Sequence, residues 1–469
     1  MPMGCFNLNS NMEQVIEKIK ADGIETVRAV FVDQHGILRG KTIVSSALET
    51  TFDNGINVPS TLLLKDTSHR TVFPIWSNNS NFRELPLYGA NDVVLRPNPE
   101  RFYPIPWSPH SAFILCSVED QNGKPISFSS DEVLSVAVNA LKEAGYTAVF
   151  GLEVEFQIFR VRNQSLSHAL STMPPAAVLT ENLTQGHQYL TEVRYAEVEE
   201  NLDELRRMSE MLGLEPRSVE IEMGPSQFEF TFNASDPHTV ADRFVLFRTL
   251  VKEVCHRQGL HASFMPKPAF QNSAANGWHL HQSLLKIDGT PVFIPKNNQE
   301  LTHEASGWIA GLLEHAKSCC LLTNPTVNSY KRFMPYQLAP NRVQWGRDNR
   351  GAMLRALLKR SDHTSRLENR VADTSANPFY AIASQIISGL DGLQRERQLP
   401  EATETPYEGA QSLPKNLLEA IEAFEESSLM TSYYGARFQK HLSALKRAEL
   451  ERYLMKASEW EQKEYFGLF

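Results

Sequence analysis

The stretch Gly151–Phe159, G-L-E-V-E-F-Q-I-F, decides the fold. Apolar side chains occupy its even-numbered positions, whereas Glu153, Glu155 and Gln157 share the opposite face. This period of two predicts a strand with one buried face. Two neighbouring carboxylates repel each other, and a divalent cation relieves that conflict because hard ions prefer several carboxylate oxygens. From this stretch alone, a solvated face whose glutamates pair with lysines of a neighbouring strand is an equal alternative.

The same alternation returns in Val219–Phe232, Trp278–Leu284 and Arg366–Val371. The pooled polar faces of the four stretches carry Glu153, Glu155, Glu222, Glu229, Glu368, His279, His281, Arg366 and Arg370. A merely solvated face would be rich in Lys, Thr and Ser, and this set contains no lysine. Five carboxylates with imidazole are ligands for two divalent ions, which we interpret as Mg²⁺ or Mn²⁺ rather than zinc because no cysteine belongs to the set.

Arginines accompany these acidic residues. Besides Arg366 and Arg370, the later motifs supply Arg332, Arg350 and Arg355. Arginines beside paired divalent ions are typical of sites that bind a nucleotide phosphate. The sequence contains neither a Walker-A motif nor the glycine loop of protein kinases, so those two nucleotide-binding folds are excluded.

Composition narrows the functional classes. The net charge of −9 gives no electrostatic reason to expect a nucleic-acid partner. The five cysteines form no C-x-x-C pair, which favours a reducing compartment over a disulfide framework. The sequence shows no signal-peptide pattern and no apolar run approaching the roughly 18–20 residues of a membrane span. We therefore expect a cytoplasmic protein with no membrane partner.

Two domains are expected. A helix over 12–22 followed by a hairpin over 26–44 predicts a small N-terminal α+β domain, residues 1–115, and residues 116–469 form the second domain. Ser129 and Glu132 have the spacing of a capping box at a helix start. Further helices are predicted at about 194–212, 238–258, 300–321, 376–396 and from 414, and residues 163–185 are predicted to form a surface loop.

The motifs resemble those of the glutamine synthetase superfamily, and they occur in the same order. They are F-V-D-Q-H-G-I-L-R-G-K, G-L-E-V-E-F, E-M-G-P-S-Q-F-E, F-M-P-K-P, H-L-H-Q-S-L, N-P-T-V-N-S-Y-K-R, N-R-G-A-M-L-R and R-L-E-N-R-V-A-D-T-S-A-N-P-F. The resemblance implies an α+β fold, with an N-terminal β-grasp-like domain and a large catalytic domain built around a curved antiparallel sheet. It also implies a homo-oligomer, in the family commonly a dodecamer of two stacked hexameric rings, with active sites between subunits.

The resemblance further implies an ATP-dependent ligase that phosphorylates the γ-carboxylate of L-glutamate and then joins it to an amine. One metal would bind Glu155, Glu222 and Glu229, and the other Glu153, His279 and Glu368. The matching ATP-contacting positions are His281, Ser283, Arg355 and Arg366. Arg332 and Arg370 match residues that hold glutamate, Arg350 matches the arginine facing the γ-phosphate, and Arg350 with Arg370 is the candidate catalytic pair. Gly277, Trp278, Leu338 and Asp66 complete the candidate substrate contacts.

Departures from the family pattern fall where the amine would bind. Glutamine-forming members carry a flap glutamate that takes a proton from ammonium, and Leu338 occupies this position. Their ammonium-binding aspartate has only a loose counterpart in Asp66. An ammonium ion needs a carboxylate and a base, whereas an apolar wall suits an amine with a hydrocarbon body. We therefore expect an alkyl- or arylamine substrate, as in the γ-glutamylanilide and γ-glutamylalkylamide synthases.

Alternatives remain at this stage. Ala274 replaces an asparagine and Trp278 a methionine in the segment before His279, so either the glutamate site is rebuilt, with Asn276 compensating, or the acyl acceptor differs; drift in a loop is the other interpretation. The rival functions are an ammonia-dependent glutamine synthetase, a different phosphotransfer reaction and a catalytically inactive structural homologue.

Overall fold

The structure of the protein is a computed structural model, and it describes residues 4–76, 88–163, 167–297, 300–334 and 338–469. The first sheet lies in the N-terminal part of the chain and has the strand order β2-β1-β5-β4-β3. Its strands are β1 (Thr26–Val32), β2 (Leu38–Val44), β3 (Ile56–Pro59), β4 (Asp92–Pro104) and β5 (Ser111–Glu119). Strand β1 pairs parallel to β5 and antiparallel to β2. The predicted domain boundary after residue 115 therefore falls within β5.

The second sheet has nine strands among the described residues, and its main path runs β12-β13-β14-β11-β6-β9-β8. Its strands are β6 (Tyr146–Val161), β7 (Thr180–Asn182), β8 (Pro216–Ile221), β9 (Gln227–Phe232), β10 (Leu260–Ser263), β11 (Trp278–Lys286), β12 (Trp345–Arg347), β13 (Leu354–Leu357) and β14 (Arg366–Asn369). All pairings are antiparallel except that of β12 with β13. The sequence prediction of an α+β protein with an antiparallel catalytic sheet is confirmed.

The helices pack on both sheets. They are α1 (Gly4–Asp22), α2 (Leu48–Asn54), α3 (Ser130–Glu143), α4 (Glu192–Ala196), α5 (Glu199–Met211), α6 (Pro237–Arg257), α7 (His303–Glu314), α8 (Ala316–Thr323), α9 (Pro378–Gln394), α10 (Leu417–Glu425), α11 (Ser428–Leu454) and α12 (Glu459–Tyr465). Helices α1 and α2 contact β4 of the first sheet, and α3 and α6 contact β6 of the second. None of these helices combines the length and the apolar character that crossing a membrane requires.

The alternation of β6 is the basis of the core. Its apolar residues Leu152, Val154, Phe156 and Ile158 are each at most 1% exposed. Phe156 stacks on Phe264 with ring centroids 5.1 Å apart. Because this face packs against aromatic side chains, the polar residues of β6 must lie on the other face. A shift of one residue in the strand pairing would reverse both faces, so burial of the apolar face fixes the register.

Three details of the prediction were wrong. Ser129 precedes α3 but its side chain makes no capping hydrogen bond, so the expected capping box is absent there. The segments predicted as single helices over 194–212 and 300–321 each divide in two, the second at His315. The predicted loop over 163–185, described from 167 onward after Asn163, contains the short strand β7, which pairs with the end of β6.

Candidate active site

Strand register brings the acidic residues together. In the antiparallel pairs, His279 lies opposite Glu153, Glu229 lies opposite Glu155, and Glu368 lies opposite His281. Side chains directly opposite each other in a sheet have Cβ atoms roughly 5 Å apart, so each pair can share a ligand. The four polar strand faces predicted from the sequence therefore form one continuous floor.

Three overlapping groups on this floor have ligand atoms that all lie within 4.8 Å of one another. They are Glu155, Glu222 and Glu229; Glu153, Glu229 and His279; and Glu153, His281 and Glu368. The first is one of the two predicted metal sets. The second predicted set is divided, because Glu153 belongs to two groups and His281, predicted to contact ATP, joins Glu368.

Like charges dominate one end of the floor. Burial and the neighbouring Glu155 carboxylate raise the pKa of Glu222 to about 8. Burial, followed by Glu153, Glu155 and Glu222, raises the pKa of Glu229 well above its usual range. Without a cation these carboxylates cannot all ionise at neutral pH. A divalent ion would remove that conflict, so the residues present fit a metal centre.

Cationic neighbours hold the other end of the floor ionised. Burial alone would raise the pKa of Glu153, but His279 and His281 lower it well below its usual range. The Glu153 oxygens lie 2.5 Å from His279 Nδ1 and 3.0 Å from His281 Nε2. Burial of Glu368 is likewise outweighed by Arg370 and His279, which lower its pKa.

Two of the predicted arginines, Arg355 and Arg370, bind the Glu368 carboxylate, whereas Arg332 binds a backbone carbonyl. Arg370 donates to one oxygen of Glu368 and Arg355 donates to the other at 3.0 Å. Arg332 is buried, and its guanidinium donates to the Val371 carbonyl at 2.8 Å. The Nε atoms of Arg332 and Arg370 are buried without a partner among the described residues. Both guanidinium groups therefore retain capacity for an anionic substrate at the edge of the floor.

The remaining predicted phosphate-contacting residues lie near this floor or at the surface. Arg366 Nε lies 3.2 Å from His281 Nδ1, which places it beside the Glu153–His281–Glu368 group. Ser283 donates to the Ser365 carbonyl at 3.1 Å. Arg350 is exposed and close enough to Tyr189 to influence its titration.

Hydrogen bonds to buried amides fix Glu155. The Gly277 amide donates to Glu155 at 2.7 Å, and Gln227 Nε2 donates to the same oxygen at 3.3 Å. Gln227 also donates to Asn276 Oδ1 at 3.0 Å. A Cβ on Gly277 would lie 3.0 Å from both the Arg332 guanidinium and His279 Nε2, so any larger residue would push on these two side chains. Asn276 thus supports the metal floor from below.

Two predicted substrate contacts are corrected. The Trp278 side chain is completely buried and stacks on Phe244 at 4.7 Å, because strand alternation turns it away from His279 into the core. Asp66 is 2% exposed, and its oxygens accept hydrogen bonds from the Ser68 and Arg70 amides and from Arg452. Asp66 is therefore a buried carboxylate that is held by contacts within its own chain.

Leu338 presents an exposed apolar side chain, which is the property on which the sequence argument depends. Its side chain is 51% exposed, and its backbone φ of 54° lies in the left-handed region, which is uncommon for a leucine. Residues 335–337, the Pro-Tyr-Gln that precedes it in the predicted flap, lie outside the described residues. No carboxylate occupies position 338.

Sequence reasoning missed two residues of the site. Burial and the carboxylates Glu222 and Glu229 raise the pKa of Tyr189 to about 12, which places this phenol beside the acidic end of the floor. Asp348 accepts hydrogen bonds from Arg355 at 2.6 and 2.9 Å. Neither residue belongs to an alternating stretch; only the proximity of Asp348 to Arg350 and Arg355 in the sequence could have drawn attention to it.

The fold and this floor have the features of an enzyme with a candidate metal centre, and comparison with known proteins gives its family. The model of the glutamine synthetase catalytic domain matches residues 130–465. The chain belongs to the glutamine synthetase family, whose members are carbon–nitrogen ligases that use ATP and divalent metal ions and act on glutamate and an amine. The resemblance predicted from the ordered motifs is confirmed.

Individual relatives differ in the amine that their names imply. The chain is 34% identical to a γ-glutamylanilide synthase of Acinetobacter sp., over 97% of this chain and 95% of that protein. It is 31% identical to a glutamine synthetase of Clostridium saccharobutylicum, over 97% and 99% of the two chains. A solved GmaS/ADP complex matches with a TM-score of 0.80 and 26% identity, over 97% and 99% of the chains.

Proposed function

We propose that the protein joins the γ-carboxylate of L-glutamate to an alkyl- or arylamine other than ammonia, with ATP as the phosphoryl donor. The observation that carries the proposal concerns the two positions that match the family's ammonium-receiving residues: position 338 carries no carboxylate, and the carboxylate at position 66 is already hydrogen-bonded within the chain. Position 338 is leucine, and both oxygens of Asp66 accept hydrogen bonds from its own chain. The similarity to a γ-glutamylanilide synthase along nearly the whole chain supports the same conclusion.

The first step in this proposal is phosphoryl transfer. A γ-carboxylate oxygen of glutamate attacks the γ-phosphorus of ATP, the bond to the β-phosphate oxygen breaks, and ADP leaves. Mg²⁺ or Mn²⁺ held by Glu153, Glu155, Glu222, Glu229, His279 and Glu368 would neutralise phosphate charge. Arg332 and Arg370 orient the glutamate, and the exposed Arg350 approaches the transferred group. His281, Ser283, Arg355 and Arg366 are the proposed nucleotide contacts.

The second step forms the amide. The amine nitrogen attacks the acyl carbon of γ-glutamyl phosphate, the bond from that carbon to the phosphate oxygen breaks, and the departing phosphate takes the proton that the nitrogen loses. Closure against an apolar side chain at position 338 excludes water, which would otherwise hydrolyse the acyl phosphate. A weakly basic arylamine arrives neutral and needs no carboxylate to attract it, which is why this class fits the site best.

Phosphate release with L-glutamate, MgATP or MnATP and a panel of amines tests the proposal. The panel contains ammonium, ethylamine, isopropylamine, aniline, ethanolamine and putrescine. We expect turnover with apolar amines to exceed turnover with ammonium at least tenfold. Preference for ammonium would identify the protein as a glutamine synthetase. If none of the amines supports phosphate release, the protein is an inactive homologue or uses a different acyl acceptor.

The Leu338→Glu variant isolates the residue responsible. We expect this substitution to raise the ratio of ammonium turnover to aniline turnover by about tenfold. The new carboxylate would serve as the general base that accepts a proton from ammonium. The matched control is Leu418→Glu, which places the same charge on a partly exposed leucine of α10. An unchanged ratio in Leu338→Glu would refute the role of position 338.

We further propose that active sites form between subunits of a dodecamer of two stacked rings. The C-terminal end of the chain supports an assembly, since Trp460, Phe466, Leu468 and Phe469 are each at least 62% exposed. Exposed apolar residues that cluster in this way mark contact surfaces. Native mass measurement gives the subunit number, and a truncation after residue 456 should reduce it; an unchanged mass would exclude this segment from the interface.

A further inference from the structure

A separate cavity of about 340 Å³ lies away from the metal floor. It is lined by the turn between β1 and β2, by α6, α8, α9 and α11, and by the segment after β10. None of the acidic or histidine residues of the three ligand groups lines it. Its volume lies at the lower end of the roughly 300–1,000 Å³ range of small-molecule sites.

Cations line this cavity without matching carboxylates. Arg248, Lys252 and Lys446 contribute to its wall, whereas no Asp or Glu among the described residues does. Lys446 is neutralised by Glu449, which lies 3.2 Å away outside the wall. Arg248 and Lys252 have no such partner, because no carboxylate among the described residues comes within ion-pair distance of either.

Arg248 is held rigidly with its charge uncompensated. Its guanidinium donates to the backbone carbonyls of Gly36 and Thr374 and lies 5.1 Å from the Phe244 ring. Burial lowers the pKa of Arg248 to about 10, and only Asp33 opposes that shift. Asp33 is itself paired with Arg39 at 2.5 Å. An anion entering the cavity would therefore meet an oriented cation that has few competing partners.

The rest of the wall mixes apolar side chains with polar ones such as Ser263, Thr326 and Asn377. Phe264, Leu321 and Leu442 supply hydrocarbon surface. Gln34 Oε1 and His35 Nδ1 are buried without a hydrogen-bond partner among the described residues. Both atoms are closed off from the cavity space, so the hydrocarbon surface is the part of this wall that a ligand would contact.

We propose that this cavity is a second small-molecule site, which binds an organic carboxylate with an apolar body. The carboxylate would pair with Arg248 and Lys252, and the hydrocarbon would pack on the Phe264 side. An inorganic anion would leave the apolar side chains of the wall uncovered, and a neutral analogue would leave the two cations unpaired.

Calorimetric titration of the full-length assembled protein with mandelate, which combines a carboxylate with an apolar ring, tests the proposal. We expect one mandelate per chain, with saturable binding that L-glutamate together with MgADP does not displace. The neutral analogue 1-phenyl-1,2-ethanediol and sulfate should each bind at least tenfold more weakly. Absence of mandelate binding, or displacement by glutamate, would overturn the proposal, because the cavity would then be closed in the assembly or the ligand would occupy the active site.

Two variants assign the binding to this cavity. Lys252→Gln should weaken mandelate binding about tenfold, which is the effect of losing one charge-assisted hydrogen bond. Thr67→Trp fills the mouth from an exposed position and should abolish binding while leaving the wall intact. The matched control Lys440→Gln removes an exposed lysine of α11 outside the cavity and should not change the affinity. Equal affinity in all three variants would refute the site.

Discussion

The metal-free protein should become more stable when Glu222 loses its charge. The pKa of this carboxyl rises from 4.5 to about 8 on folding, so the folded chain binds the proton more tightly than the unfolded chain. The Glu222 contribution to stability is therefore lost as pH rises from 4.5 towards 8. At pH 7 the cost is about 3 kcal/mol, from roughly 2.5 pH units at 1.36 kcal/mol each. Glu222→Gln mimics the protonated carboxyl and removes this cost.

Thermal unfolding in a chelator at pH 5, 6, 7 and 8 measures the effect. We expect the variant to exceed the natural protein in unfolding midpoint by roughly a few degrees at pH 8 and by much less at pH 5. Added Mn²⁺ should reverse the order, because it stabilises the natural protein through a ligand that the variant lacks. Glu200→Gln, at an exposed position of α5, is the matched control.

The refuting result is specific. If Glu222→Gln in chelator unfolds at the same temperature as the natural protein at pH 8, or lower, then the carboxylates of the floor are not in electrostatic conflict. The physical reason for a metal centre there would fail with it. A gain that is equal at all four pH values would assign the effect to packing rather than to charge.

Three further predictions concern the metal requirement, the close approach at Gly277 and the packing of α9 against α7. Chelation of divalent ions should abolish phosphate release, and Mg²⁺ or Mn²⁺ should restore it. Gly277→Ala places a Cβ 3.0 Å from Arg332 and His279, and it should lower kcat/KM by roughly ten- to a hundredfold with little change in the unfolding midpoint. Gly389→Ala drives a Cβ to within 2.2 Å of the Trp308 ring, and overpacking should destabilise the chain by about 3 kcal/mol in denaturant titration.

Each of these predictions can fail on its own. Full phosphate release in excess chelator would remove the metal from the reaction. Full activity in Gly277→Ala would show that Arg332 can move aside. An unchanged denaturation midpoint in Gly389→Ala would mean that α7 and α9 separate without cost.

The sequence predicts the floor well because strand alternation has a fixed period. Once Glu153 and Glu155 are placed on one face, antiparallel pairing with β9 and β11 brings Glu229 and His279 to them. The period also turns Trp278 into the core, although the comparison of motifs had placed it with the substrate contacts. A motif match identifies which position of the chain corresponds to a family residue, whereas strand alternation predicts the face of the sheet to which its side chain points.

Other features depend on contacts between distant segments and leave no periodic trace. Asp66 meets Arg452 across 386 positions of sequence, so its engagement could not be predicted from L-L-L-K-D-T-S-H-R. The division of the predicted helix at His315 likewise has no proline or glycine to mark it. The pKa values of Glu222 and Tyr189 require burial and neighbours that only the folded chain supplies.

The separation between the sheet and the Leu338 segment has an evolutionary consequence. The register that assembles the floor is set by β6, β9, β11 and β14, whereas Leu338 lies in the connection between α8 and β12. A substitution in that connection leaves every strand pairing intact. Under the proposed function, a new nucleophile can be recruited by a few changes in one loop while the phosphate chemistry is inherited unaltered, so descendants of one ancestor can diversify their amines without passing through an inactive protein.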